Sequence, residues 1–221
     1  MSAAPDVSVV IPTHNRRQSL RRTLRALAGQ ETARSFEVVV VDDGSAPPVT
    51  AEDLAPLATA RRVDGPGRGR AAGARNAGIA AARGRVVLFT DDDTEPAPDW
   101  LETAAAFLDA HPDHVGVEGP VVSPPYDPLY AYSMEVEAPG AHVTCNLGFR
   151  ADVLERLGGF DEEAFGFHCE DVDLGLRARR IGPIGYANGM EVLHHPRRLT
   201  LRQLAGRGRS ARGGGRRARS R

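Results

Sequence analysis

The sequence predicts a single α/β domain built on a mainly parallel sheet. Three observations carry that prediction: short β-branched runs without polar alternation, helical stretches between them, and turn residues rich in acids where the runs end. At 221 residues the chain suits one substantial core, and 41% apolar with 26% charged residues is a globular composition that excludes wholesale disorder.

The first run, VSVVIP (Val7 to Pro12), reads as a buried strand that stops at a proline. In THNRRQSLRRTLRALAGQ, Asn15 is placed to cap a helix. Leu20, Leu24, Leu27 and Ala28 recur at helical spacing, arginines take the outer face and Gly29 ends it. FEVVVV is a second strand, buried on both faces and closed by the turn sequence DDGSAPP, which completes a β-α-β unit. TAEDLAPLA predicts a short helix stopped near Pro56, DGPGRGR a loop, and AAGARNAGIAAARG an alanine-rich helix leading into a third strand, RVVLFT. PAPDWLETAAAFLDAHP predicts a helix with Pro98 near its start, acids in its first turn and Pro112 as its stop. HVGVEGPVV adds a strand, Ser123 to Ala141 a long loop, and VTCNLGF another strand. RADVLERLGG is a short helix ended by Gly158, and EDVDLGLRARRIG a last helix ended by Gly182.

Sheets of this kind gather ligands at the carboxyl ends of their strands. Asp42 and Asp43 follow one strand and Asp91 to Asp93 another, so both clusters are expected in one crevice. A single strand-end acid is explained by helix capping or by solvent. Three in succession raise one another's pKa unless a cation offsets them, and hard oxygen ligands in a cleft suit Mg²⁺ or Mn²⁺ bridging to a diphosphate. Glu170 and Asp171 open the last helix, where the macrodipole favours acids by about 0.3–1 kcal/mol each, a placement compatible with general-base work. Gly67, Gly69 and Gly73 do not fit the dinucleotide fingerprint. Cys145 and Cys169 lack companions at metal-ligand spacing and are expected as small buried residues in a reducing, cytoplasmic setting.

The order of VSVVIPTHNR, VVVVDDGS, GRAAGARNAGIAAARGRVVLFTDDD and GGFDEEAFGFHCEDVDLGLRARRIG resembles that of the family 2 glycosyltransferases of the GT-A fold, over Val7 to His194. The resemblance implies a GT-A, Rossmann-like domain over residues 1–196 and an arginine-rich tail over 197–221. It implies inverting transfer of a sugar from a nucleotide-diphosphate donor, a UDP-sugar, to an acceptor hydroxyl, with Mn²⁺ or Mg²⁺ as cofactor. The acceptor would be a glycan, a lipid-linked molecule or a small molecule.

On that resemblance Asp91, Asp92 and Asp93 form the DXD element, with Asp93 on the metal and Asp91 and Asp92 toward the nucleotide. His194, following the last strand, would join Asp93 on the metal or diphosphate. Asp43 would accept a hydrogen bond from the base, which favours uracil. Pro12, Thr13 and His14 match the nucleotide-facing turn, His14 standing where the family often carries an aromatic residue. Arg75 would support the nucleotide, and the glycine-rich loop before it would lie near the donor. Asp171 would be the general base, Glu170 and His168 acceptor-side groups, and Asp173 a structural partner of Arg177 at i+4. A binding subunit without turnover would be expected to lack the base. A sugar nucleotidyltransferase would carry a glycine-rich activation loop with a lysine near its start.

The net charge of -1 hides an asymmetry: ten arginines and no acid follow from Arg197, leaving 18 arginines against 29 acids before it. Such a basic segment has three readings: disorder in isolation, contact with anionic lipid headgroups or a phosphate-bearing lipid acceptor, or nucleic-acid binding. The want of interleaved aromatics and of a recognised module argues against the last, and disorder and peripheral contact at the inner face of a membrane are compatible expectations.

Overall fold

The computed structural model describes residues 4–67, 70–163 and 169–198. The first half follows the expected alternation: β1 (Val7–Thr13), α1 (Arg17–Ala28), β2 (Phe36–Asp42), α2 (Ala51–Leu54), β3 (Ala60–Asp64), α3 (Ala71–Ala81) and β4 (Val86–Phe89). Beyond it come β5 (Thr94–Pro96), α4 (Trp100–Ala110), β6 (Gly116–Glu118), β7 (Val121–Val122), β8 (Ala131–Tyr132), β9 (Leu147–Arg150), α5 (Ala151–Leu157), α6 (Glu170–Ala178), β10 (Ile184–Tyr186), β11 (Val192–His194) and β12 (Arg197–Arg198).

Seven strands form the main sheet in the order β10-β6-β9-β4-β1-β2-β3. All its pairs are parallel except those of β9, which runs antiparallel to both β4 and β6. Strand alternation splits the core into two layers. Val9, Ile11, Val38, Val40 and Leu88 face Leu20, Leu24 and Leu27 of α1 and Trp100 and Leu101 of α4. Val10, Val39, Val41 and Phe89 face α3, α5 and α6. Gly78 explains how α3 closes on the sheet: a Cβ there would stand 2.3 Å from Val10 Cγ1. Arg75, one turn earlier on α3, is thereby held against the strand ends.

Several local expectations differ from the fold. Asn15 is no helix cap: it has φ 57°, its side chain accepts the Ala46 N–H at 2.7 Å, and Arg16 takes the cap position. Asn15 therefore ties the loop after β1 to the loop after β2. HVGVEGPVV divides at Gly119-Pro120 into β6 and β7, which belong to different sheets. VTCNLGF begins as a 3-10 turn (Thr144–Asn146), whose Asn146 accepts from Trp100 Nε1 at 2.8 Å and donates to the Pro120 and Met190 carbonyls. α6 ends at Ala178, before Gly182. His194 lies inside β11, not after the last strand, and Arg197 and Arg198 form a further strand against β8. Cys145 is buried, but Cys169 is exposed in the left-handed region at φ 74°. Among the described residues no helix is long and apolar enough to cross a membrane.

Candidate active site

The carboxyl ends of β1, β2 and β4 surround a cavity of about 330 Å³. Pro12, Thr13, His14, Asp43, Arg75, Asp91 and Asp92 all line it, joined by Arg16 and Arg197. The two acidic strand ends therefore do share a crevice. At the β2 end the acids divide: Asp42 accepts the N–H groups of Ser45 (2.9 Å) and Val49 (2.8 Å) and shapes the turn. Burial pushes the Asp42 carboxyl up, but these donors and Arg62 outweigh it and hold it below its ordinary value. Asp43 faces the cavity with one oxygen accepting the Gly67 N–H at 2.7 Å. His14 Nδ1 donates to the Asp43 carbonyl at 2.8 Å, which leaves Nε2 to accept from Asn15 Nδ2 at 2.8 Å.

At the β4 end Asp92 is pinned by the Thr13 hydroxyl (2.7 Å) and Arg16 (3.1 Å). Burial raises its pKa to about 6 against the pull of Arg16 and Thr13, and the neighbouring Asp93 and Asp91 charges add to the rise. Asp93 is also buried and pairs with Arg197 and, at 3.5 Å, with Arg16. Burial pushes Asp93 up, but the Arg197 hydrogen bond and charge prevail and keep it low.

One oxygen of Asp93, Oδ1, is buried with no hydrogen-bond partner among the described residues. It lies 3.7 Å from His194 Nε2. The small sheet β5-β11-β7 creates this juxtaposition, because β11 pairs His194 with Thr94, the residue after Asp93. The tautomer follows from the hydrogen bonds. Ser133 Oγ donates to the His194 carbonyl at 3.0 Å, so His194 Nδ1–H donates to Ser133 Oγ at 3.1 Å and Nε2 keeps its lone pair. Burial holds the His194 pKa down, against the pull of Asp93 and Asp91. Asp91, Asp93 and His194 bring their ligand atoms within 4.8 Å of one another. Two carboxylates and a neutral imidazole, with a partnerless buried oxygen facing a lone pair, fit a divalent cation of the Mn²⁺ or Mg²⁺ class.

A second cavity of about 160 Å³ adjoins the first, sharing Arg75, Asp91 and Arg197 with it. Glu170, Asp171 and His194 line it on one side and Tyr132, Met134 and Val143 on another. Asp171 Oδ1 accepts the N–H of Val172 at 2.9 Å. Glu170 is engaged by Arg75, whose guanidinium spans from Glu170 (3.1 Å) to Asp91 (3.0 Å) while lying over the Phe160 ring at 5.8 Å. Arg75 is thus a buried bridge between the two cavities and not an exposed helix charge. Asp173 pairs with Arg177 at 2.7 Å, as the i+4 spacing predicts. His168 and Gly69 lie outside the described residues.

Sequence reasoning missed Arg16, Arg197 and Ser133. Arg16 was one of a run of helix arginines and Arg197 the first residue of a basic tail; only the HHPRR spacing, two residues past a histidine pair, hinted at the latter. Ser133 sat in an aperiodic loop and gave no signal.

Comparison with known proteins supplies independent findings. The model of glycosyl transferase family 2 matches residues 8–157. A pre-mycofactocin glycosyltransferase of Mycobacterium tuberculosis is 31% identical over 225 residues, covering 91% of this chain and 45% of the relative. A validoxylamine A glucosyltransferase of Streptomyces hygroscopicus is 29% identical over 229 residues, covering 82% of this chain and 53% of the relative. The chain spans about half the length of these relatives. Among solved structures, S. aureus TarS 1-349 in complex with UDP superposes with a TM-score of 0.69 at 22% identity, over 86% of this chain and 60% of that one. The mannosyltransferase PcManGT of Pyrobaculum calidifontis, in complex with GDP-Man and Mn²⁺, gives 0.67 at 24% identity, over 100% and 67%. These likenesses establish the fold.

Proposed function

The chain belongs to glycosyl transferase family 2, and from that premise we propose that it is an inverting transferase taking a sugar from a nucleotide-diphosphate donor, a UDP-sugar, to an acceptor hydroxyl. The observation that carries this reading is the junction of the two cavities. Asp91 and His194 of the cation triad and the carboxylate of Asp171 line one space, so leaving group and attacking hydroxyl have places on either side of an anomeric carbon.

The larger cavity takes the nucleoside diphosphate. Thr13 and His14 flank the base, and the second oxygen of Asp43 accepts the N3–H of a uracil. Asp91, Asp93 and His194 would hold the cation, Mn²⁺ or Mg²⁺, which would supply positive charge against that of the departing diphosphate. Arg16 and Arg197 line the same cavity and add positive charge there. Asp171 takes the acceptor proton as the oxygen attacks, and attack opposite the leaving group inverts the anomeric centre. Arg75 holds Glu170 in register with Asp91, which fixes the acceptor side relative to the donor side.

Relatives that act as transferases or bind UDP, UDP-GlcNAc or GDP-Man support the reaction class. The test is nucleoside diphosphate release from a panel of UDP- and GDP-sugars with Mn²⁺ and candidate acceptors. Asp171→Asn is expected to lower transfer by about 10²–10⁴-fold, the usual contribution of a general base, with UDP affinity by calorimetry unchanged. Transfer at the native rate by that variant would refute the base assignment.

A further inference from the structure

The largest exposed apolar side chains of the described residues include Leu129 (68% exposed), Tyr130 (63%) and Tyr132 (45%), gathered at one end of one loop. They stand on a built element. Asp127 closes the turn, its carbonyl accepting the Tyr130 and Ala131 N–H groups and its carboxylate the Leu129 N–H at 2.8 Å. The chain then enters β8, which pairs antiparallel with β12 in the register Tyr132 to Arg197 and Ala131 to Arg198. Cross-strand partners share a face and neighbours alternate. Tyr132 and Arg197 accordingly line the acceptor-side cavity, whereas Arg198 is exposed beside the Leu129–Tyr130 tip. From Arg198 the sequence continues with eight more arginines and no acid.

We propose that the β8–β12 ribbon and its Asp127–Tyr130 turn form a docking face for an anionic lipid bilayer, set against the mouth of the cavity that holds Asp171. Each part has a role at such a surface. An exposed leucine and tyrosines are the side chains that settle at the boundary of acyl chains and headgroups. The arginines supply the charge complement to anionic headgroups, in the number at which a polybasic segment holds a membrane. Asp127, Glu135 and Glu137 are exposed on the same loop, so the attraction must come from Arg198 and the arginines that follow it. A monomeric surface elsewhere of this chain offers no comparable cluster among its described residues, since Val172 and Leu176 on α6 are the other exposed large apolar groups. The consequence for chemistry rests on the transferase reading: the acceptor hydroxyl would be presented from the lipid–water interface.

Vesicle sedimentation tests the docking face without any sugar substrate, so its outcome is separate from that of the transfer assay. The full chain is expected to sediment with vesicles of equal parts phosphatidylglycerol and phosphatidylcholine at low ionic strength, and weakly with phosphatidylcholine alone. Leu129→Ser with Tyr130→Ser is expected to lower the partition coefficient by about tenfold, as two apolar side chains no longer leave water. A Tyr130→Trp variant adds a reporter, since the native Trp100 is fully buried; brominated lipid is expected to quench the new indole. Absence of binding to the anionic vesicles would overturn the proposal. So would binding that the serine variant leaves intact, or an unquenched indole on vesicle-bound protein, because either places the contact elsewhere.

Discussion

The two ends of the central sheet treat buried carboxylates in opposite ways. At the amino end Glu37, near the start of β2, is buried and both its oxygens have donors. Ser8 Oγ (2.8 Å) and the Arg83 N–H (2.9 Å) serve one oxygen, and Arg61 Nε (2.9 Å) and the Arg83 guanidinium (2.6 Å) the other. Burial alone would raise its pKa; the donors overcome that and bring it down to about 2. At the carboxyl end of the same strands Asp92 is raised to about 6 and Asp93 keeps a buried oxygen without a partner among the described residues. Its cations, Arg16 and Arg197, have side chains 38% and 43% exposed. The arginines at the two ends are similarly exposed, so the difference lies in the donors: both oxygens of Glu37 are satisfied, a backbone N–H and a buried hydroxyl among their partners, whereas Asp93 keeps one buried oxygen for a ligand.

The strongest way to break this contrast is Asp93→Ala. If the carboxyl end is a cation site, Mn²⁺ at 100 times its Kd stabilises the native chain by about 2.7 kcal/mol, seen as a rise in Tm. The variant is expected to lose that rise and at least about 100-fold in transfer, the cation's electrostatic contribution being of that order. Its stability without metal is expected to fall modestly as well, because Arg197 and Arg16, which hold the Asp93 carboxyl low, lose their partner. A variant that still gains stability from Mn²⁺ would show that the site lies elsewhere.

The opposite end is probed by Glu37→Gln, which should leave donor affinity untouched. The shift from the ordinary glutamate value to about 2 corresponds to a few kcal/mol. The Arg83 and Arg61 side chains are 62% and 34% exposed, so solvent screening reduces the net loss to about 2 kcal/mol. The sign follows from linkage: a depressed carboxyl pKa adds stability that is complete above about pH 4.5 and disappears as pH falls through about 2. Urea unfolding at pH 7 and near pH 2 measures it. The native–variant difference should shrink on acidification, and a pH-independent difference would mean that packing, not charge, is what the variant lost.

The contrast also explains what the sequence could reveal. β1, β2 and β4 were legible because strands buried on both faces are written as unbroken apolar runs, and the strand-end aspartates followed from the parallel arrangement. β3 was not, since ARRVD at the sheet's edge has no apolar run, and β5, β8 and β12 are two or three residues long and exist through their partners. Glu37 was hidden inside FEVVVV: its burial makes sense only once Arg61 and Arg83, 24 and 46 residues away, are in place. The triad's acids announced themselves by crowding, but the orientation of His194 depends on Ser133, a contact across 61 residues.

The smallest expected effect separates the two ends most finely, because β1 carries a buried hydroxyl at each. Ser8 donates to Glu37 and Thr13 to Asp92 at 2.7 Å. Thr13→Val keeps the β-branched shape at the end of β1 and removes only the hydroxyl, leaving Asp92 to Arg16 at 3.1 Å. The lost hydrogen bond is expected to cost about 1 kcal/mol in urea unfolding, and the cavity it lines should bind UDP severalfold more weakly. Ser8→Ala, far from the cavity, is expected to cost stability alone. Calorimetry on the two variants decides whether the ends divide as described: equal UDP affinity in both would mean that Thr13 is as purely structural as Ser8.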